Sequence, residues 1–130
     1  MIDLQETQRI KDAIDQHPED FARLIENTHL GICVTDEDGN YVAVNNRYLS
    51  ILGYTRDEMI GNNFLMVVPA PHKSELKDLH DEFIELQIEI FEKFEILNKK
   101  GEPIRINVDA GFSDKINNKP HKLTFIDPIE

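Results

Sequence analysis

The chain contains one cysteine, Cys33, no tryptophan and no long apolar run. A lone cysteine excludes an intrachain disulfide and a cysteine-based zinc site, so Cys33 reads as a buried thiol in a reducing compartment. A helix that spans a bilayer needs roughly 18–20 apolar residues in succession, and nothing here approaches that. The opening Met1-Ile2-Asp3-Leu4-Gln5-Glu6 carries acid where a secretory signal carries base, which sets the expectation of a cytoplasmic protein. Base is scarce throughout. Lys and Arg total 14 against 25 Asp and Glu, a net charge of −11. Such a surface repels phosphate backbones and anionic lipid, so neither a nucleic-acid nor a membrane partner is expected. Enzyme signatures are missing too. There is no Gly-x-Ser-x-Gly, no His-Glu-x-x-His and no glycine loop for phosphate. The many carboxylates fall on solvated helix faces, where nothing raises a pKa for acid–base work. No catalytic activity and no metal site are expected.

The chain does have apolar content for one core: 130 residues, 40% hydrophobic and 30% charged. Residues 2 to about 16 read as a helix whose thin apolar stripe is Ile10, Ala13 and Ile14. His17-Pro18-Glu19-Asp20 restarts the chain into a short second helix with Phe21, Leu24 and Ile25 inward. Residues 30–35 form an apolar, β-branched strand. Asp36-Glu37-Asp38-Gly39-Asn40 is a hairpin turn, without the glycine and glutamate spacing of a calcium loop. Tyr41 to Val44 return. Asn45-Asn46 cap a helix that Gly53 stops, and Thr55 with Glu58 forms a capping box ahead of Gly61. Pro69-Ala70-Pro71 breaks the segment after Asn62.

The strongest helix runs from Lys73 to about Gln87, with Leu76, Leu79, Phe83 and Leu86 on one face. Strands are expected near 90–98, 103–113 and 121–127. Leu86-Gln87-Ile88-Glu89-Ile90 also alternates, which competes for an earlier start to the third strand. Ile104, Ile106, Val108, Ala110 and Phe112 alternate with Arg105, Asn107 and Asp109, while Leu123 and Phe125 are expected inward. This order predicts an α+β fold: one five-stranded antiparallel sheet, helices on one face and an N-terminal helical extension.

Three motifs, taken together, resemble a PAS domain. They are Gly31-Ile-Cys-Val-Thr-Asp36-Glu-Asp-Gly39 leading to Val44-Asn45, then Leu52-Gly53-Tyr54-Thr55-Arg-Asp-Glu58-Met-Ile60-Gly61, and finally Phe94-Glu95-Ile96 running into Asn98-Lys-Lys-Gly101. Asp127 stands where that family often ends in Asp-Ile-Thr, although here Asp127-Pro128-Ile129 follows. The resemblance covers residues 22–127 and divides the chain into an extension, 1–21, and a PAS domain, 22–130. It implies a sensory or signal-transduction module that senses a small ligand, mediates protein–protein contact such as dimerisation, or both. Light chemistry fits poorly. Gly61-Asn62-Asn63-Phe64 puts Phe where a flavin-binding member has its reactive cysteine, and Val68-Pro69-Ala70-Pro71-His72 offers no cysteine for a thioester chromophore. The alternative is a haem-binding gas or redox sensor. His80-Asp81-Glu82-Phe83 is similar to the haem-ligating segment of oxygen-sensing members, which would make His80 the axial ligand, although the stretch from Pro71 to His80 is longer than in that pattern.

Under the resemblance the pocket is expected to gather Ile32 or Cys33 with Val34, then Val44, Leu52, Met59, Phe64, His80, Phe83, Phe94, Ile106, Val108 and Phe125. With several Phe, Met59 and Met66 in place, a filled or small cavity is expected and no cofactor is specified. The outer sheet face is expected to carry Ile104, Phe112 and Ile126. A homodimer through residues 2–28 and that face would cover them.

Overall fold

The computed structural model describes residues 2–87 and 90–129, and only the backbone at 90–92. Five strands form one antiparallel sheet in the order β2-β1-β5-β4-β3. They are β1 (Gly31–Asp36), β2 (Tyr41–Val44), β3 (Ile90–Leu97), β4 (Pro103–Ser113) and β5 (His121–Pro128). The last strand therefore sits at the centre, paired with β1 on one side and β4 on the other. Between β2 and β3 the chain crosses from one sheet edge to the other through α3 (Asn46–Leu52), α4 (Arg56–Met59), a 3₁₀ turn at Phe64–Val67 and α5 (Lys73–Leu86). Ile88 and Glu89 lie outside the described residues, so the competing start of the third strand lies there too.

Local sequence explains the element ends. The Asp36 carboxylate accepts from the backbone N–H of Asp38 and of Asn40, at 3.0 and 2.9 Å, so the acidic turn spends that carboxylate on itself. Gly39 takes φ +86°, and a Cβ there would meet the Phe64 ring at 2.9 Å. Thr55 and Glu58 close the expected capping box. Asn45 does more than cap α3. Its Oδ1 accepts from the N–H of Ile32 and Tyr48, and its Nδ2 donates to the carbonyls of Ile25 and Leu30. One fully buried side chain therefore ties the N-terminal segment, β1 and α3 together.

The sheet has a core on each side. On one, α3 to α5 pack over Cys33, Val44, Leu52, Met59, Ile106, Val108 and Ile126. On the other, α1 (Leu4–Gln16) and α2 (Phe21–Leu24) bury Ile10, Ile14 and Ile25 against Ile32, Val34, Leu123 and Phe125. Each fully buried isoleucine of α1 contributes roughly 1.5–3 kcal/mol by removal from water. A buried ion pair, Lys11 to Asp109 at 3.0 Å, pins α1 to β4.

This overturns one expectation. Ile126 faces the α3–α5 side, Ile104 packs against that same cluster and Phe112 stacks on Phe83 of α5, while Leu123 and Phe125 face α1. The period of the strands holds; on β5 the face is opposite to the expected one, and on β4 Ile104 and Phe112 share the face of Ile106 and Val108, because alternation alone does not say which side is which. The face away from the α3–α5 side is packed by α1 and α2 of the same chain.

Candidate ligand-binding site

The sheet and the α3–α5 segment do not close on each other. A cavity of about 400 Å³ separates them, within the size range of small-molecule sites. Its floor is every second residue of the central strands: Cys33 and Thr35 on β1, Lys122, Thr124 and Ile126 on β5, and Ile106, Val108 and Ala110 on β4. Phe94 and Ile96 extend it along β3. Phe64, Val67 and Val68 together with Leu76, Leu79 and His80 make the roof, and the exposed His72 and Glu75 mark a rim.

The wall is mostly apolar, and its polar groups divide into two sets. Tyr41 and Tyr48 satisfy each other, hydroxyl to hydroxyl at 2.7 Å. Burial holds both phenols well above their ordinary pKa, so they stay protonated. Burial likewise pushes the Cys33 thiol up to about 11, which leaves it an unreactive thiol at neutral pH.

The second set lacks protein partners. Thr35 Oγ1, Thr124 Oγ1 and His80 Nδ1 are buried with no hydrogen-bond partner. All three residues line the cavity. His80 is 2% exposed, and its Nε2 lies 3.1 Å from the Glu37 carbonyl. A carbonyl only accepts, so Nε2 carries the proton and Nδ1 presents a lone pair. Burial, then the nearby Lys122 charge, lower the His80 pKa to about 4. Lys122 places its ammonium 4.5 Å from the centre of the Phe64 ring and 5.9 Å from that of Phe83. Burial lowers its pKa to about 8.

The β1–β2 turn organises this corner. The Phe64 N–H donates to the Gly39 carbonyl at 2.9 Å, the Asn63 side-chain amide donates to the Asp38 carbonyl at 2.9 Å, and His80 reaches Glu37. Phe64 and His80 then stack obliquely, ring centres 5.3 Å apart.

Of the residues expected at the pocket, Phe64, His80, Phe94, Ile106 and Val108 line the cavity, as does Cys33. Val44, Leu52 and Met59 belong to the core beneath α3 and α4 beside it. Phe83 is fully buried behind the wall, packed on Phe112 with ring centres 6.3 Å apart. Ile32, Val34 and Phe125 lie on the opposite face of the sheet under α1. They are the correction: odd residues of β1 and even residues of β5 face the cavity, whereas apolar character alone selects the wrong parity. The expected filling also fails, because Phe64 and Phe94 form walls and Met59 and Met66 pack into the neighbouring core. Sequence reasoning missed Thr35, Lys122 and Thr124. The available signal, for Thr35, was that β1 is apolar on both parities, which marks a strand buried on both faces. A polar residue inside such a strand faces something other than bulk water.

His80 fits haem ligation poorly. Its Nε2 donates to the Glu37 carbonyl, so that nitrogen has no lone pair to offer an iron. Among the described residues no three His, Cys, Asp or Glu side chains gather as a metal site requires. No described helix is long and apolar enough to cross a membrane.

A five-stranded antiparallel sheet with a helical crossing over one face, and a pocket between them, defines a class of sheet-and-cup domains. Residues 19–123 match the PAS fold family model. The chain belongs to the PAS family. No curated protein matches it in sequence. Solved structures do resemble it. A PAS domain from Desulfitobacterium hafniense shares 20% identity, covering 82% of this chain and 99% of that one, with a TM-score of 0.74. The PAS domain of an HTR-like protein from Haloarcula marismortui shares 21%, covering 94% and 99%, with a TM-score of 0.69. A domain of a sensor histidine kinase/response regulator from Geobacter sulfurreducens shares 19%, covering 87% and 95%, with a TM-score of 0.69. At such identities the likeness is one of fold.

Proposed function

We propose that this protein is a sensory module that binds a small ligand between sheet and helices and signals occupancy to a partner protein, without chemistry of its own. The observation that carries this reading is the cavity itself. It is roomy and largely apolar, and it is lined by Thr35, Thr124 and His80, whose buried polar atoms have no partner within the protein. A buried polar group left unsatisfied costs about 1–3 kcal/mol, so a cavity that leaves three is organised for a guest. The likeness to a domain of a sensor histidine kinase/response regulator supports the signalling half of the reading.

The route outward is short. A guest that touches Phe64 or His80 bears on the β1–β2 turn through Gly39 and Glu37, and on α5 directly. Native mass spectrometry of the purified protein, with an absorption spectrum of the same sample, tests the proposal. A stoichiometric small-molecule adduct lost on denaturation, or shifts of Phe64 and His80 resonances on adding a ligand, is the expected result. An adduct-free protein whose spectra no small molecule perturbs would overturn it. A Soret band would replace it with the haem reading.

A further inference from the structure

Two lysines enter the interior of this strongly acidic protein, and it treats them differently. Lys11 lies under α1 and meets the Asp109 carboxylate at 3.0 Å. Lys122 faces the cavity and, among the described residues, forms no ion pair and no hydrogen bond; its ammonium has only the faces of Phe64 and Phe83. Its side chain is half-buried, so the ammonium gives up part of its hydration with no counter-ion in exchange, whereas charges inside a protein are ordinarily paired. The chain has 25 acidic side chains, so partners were available in composition. Glu75 and Glu95 even border the cavity, yet neither pairs with Lys122.

The groups around Lys122 are those that an anion uses. Thr35 is its direct neighbour across the β1–β5 ladder, and Thr124 follows two residues later on the same face. Both are buried hydroxyls without a partner, and hydroxyls can donate. Among the described residues no arginine lines the cavity, so it offers no fork for phosphate, and of its two lysines Lys93 is exposed, which leaves Lys122 as the positive charge inside. The neighbouring walls, Phe94, Ile106, Val108 and Ile126, are apolar. His80 Nδ1 is an acceptor and repels an anion, which keeps the anionic end on the sheet side.

From this we infer that the cavity takes a small monocarboxylate with an apolar body, its carboxylate seated against Lys122 and the hydroxyls of Thr35 and Thr124. This rests on the ligand-sensing reading above and narrows it to one chemical class.

Isothermal titration at pH 7 of the full chain with two matched pairs tests it: naphthalene-1-acetate against naphthalene-1-acetamide, and octanoate against octanamide. The acid of at least one pair is expected to bind about tenfold or more tighter than its amide, and which pair shows this tells an aromatic body from an aliphatic one. Lys122→Met keeps the aliphatic contact with Phe64 and should abolish the preference, while Lys122→Arg should retain it. Should Lys122→Met fail to fold, Thr124→Val is expected to reduce the preference in its place. Equal binding of acid and amide, or an undiminished preference in Lys122→Met, would overturn the carboxylate inference and leave the ligand-sensing reading standing. If neither member of either pair binds the wild-type chain, the carboxylate inference is overturned, and the ligand-sensing reading is decided separately by the native mass spectrum.

Discussion

Lys11 of α1 and Asp109 of β4 are 98 residues apart in sequence, yet their side chains meet at 3.0 and 3.2 Å in the interior. Asp109 is fully buried, and the lysine passes beside Gly111, where a Cβ would stand 2.7 Å from Lys11 Cε. Glycine here makes room for a bridge that holds the N-terminal helix on the sheet.

Removing one partner should expose the cost of the other. Asp109→Ala removes the buried carboxylate that Lys11 meets, with an expected loss of about 1–3 kcal/mol in urea unfolding. The double variant Lys11→Met, Asp109→Leu should recover most of that. Gly111→Ala should cost about 1–3 kcal/mol, because Lys11 cannot move away without lengthening the ion pair. Additive losses in the double variant would show that the two residues act separately.

Deleting residues 1–17 uncovers Ile32, Val34, Leu123 and Phe125. The expected outcome is a lower Tm and self-association in sedimentation velocity, since a contiguous apolar patch seeks a cover. A truncated protein as stable and as monodisperse as the intact chain would show that α1 does not hold this face.

Asn45→Ala removes four hydrogen bonds that join the N-terminal segment, β1 and α3. A loss of about 2–4 kcal/mol is expected, from the cap and the buried groups left unpaired. Asn45→Asp should cost nearly as much, because a carboxylate cannot donate to the Ile25 and Leu30 carbonyls. Wild-type stability in either variant would contradict this.

His80 supplies a pH dependence with a defined sign. Its folded pKa is lowered to about 4 from the ordinary 6.5, chiefly by burial. Above about 6.5 the imidazole is neutral in both states and makes no difference. Between 6.5 and 4 the unfolded chain takes up a proton that the folded one refuses, so stability falls as pH falls, by on the order of 2–3 kcal/mol. Glu6 and Glu58, held down to about 2 chiefly by Arg9 and Lys99, lose their contributions below about 4.5, which separates the windows. Denaturant midpoints measured at pH 7, 6 and 5 should show wild type losing stability relative to His80→Phe as pH falls. Parallel curves would refute the assignment.

Lys122→Met should stabilise the ligand-free protein at pH 7, by about 1–2 kcal/mol, because it removes a half-buried charge that has no counter-ion among the described residues. A loss of stability would mean that the ammonium is satisfied in the fold.

Much of this protein is set by local pattern. The apolar spacing in Lys73–Leu86, the capping box at Thr55 and Glu58, the Asp-Gly turn and the alternation in Pro103–Ser113 each determine their own element from nearest neighbours. The ordered motifs were enough to suggest the family. What sequence alone left open was parity. Ile32 and Cys33 are equally apolar, and a strand buried on both sides has no polar face to mark its outside. Only the pairing of β5 between β1 and β4, with α1 folded over one side, sent Ile32, Val34 and Phe125 to one core and Cys33, Thr35, Lys122 and Thr124 to the other. The site is therefore a tertiary property. A lysine flanked by His121 and Leu123 reads as a surface residue until the fold closes Phe64 and Phe83 over it, because the loss of water that makes its charge consequential comes from residues 39 and 58 positions away in the chain.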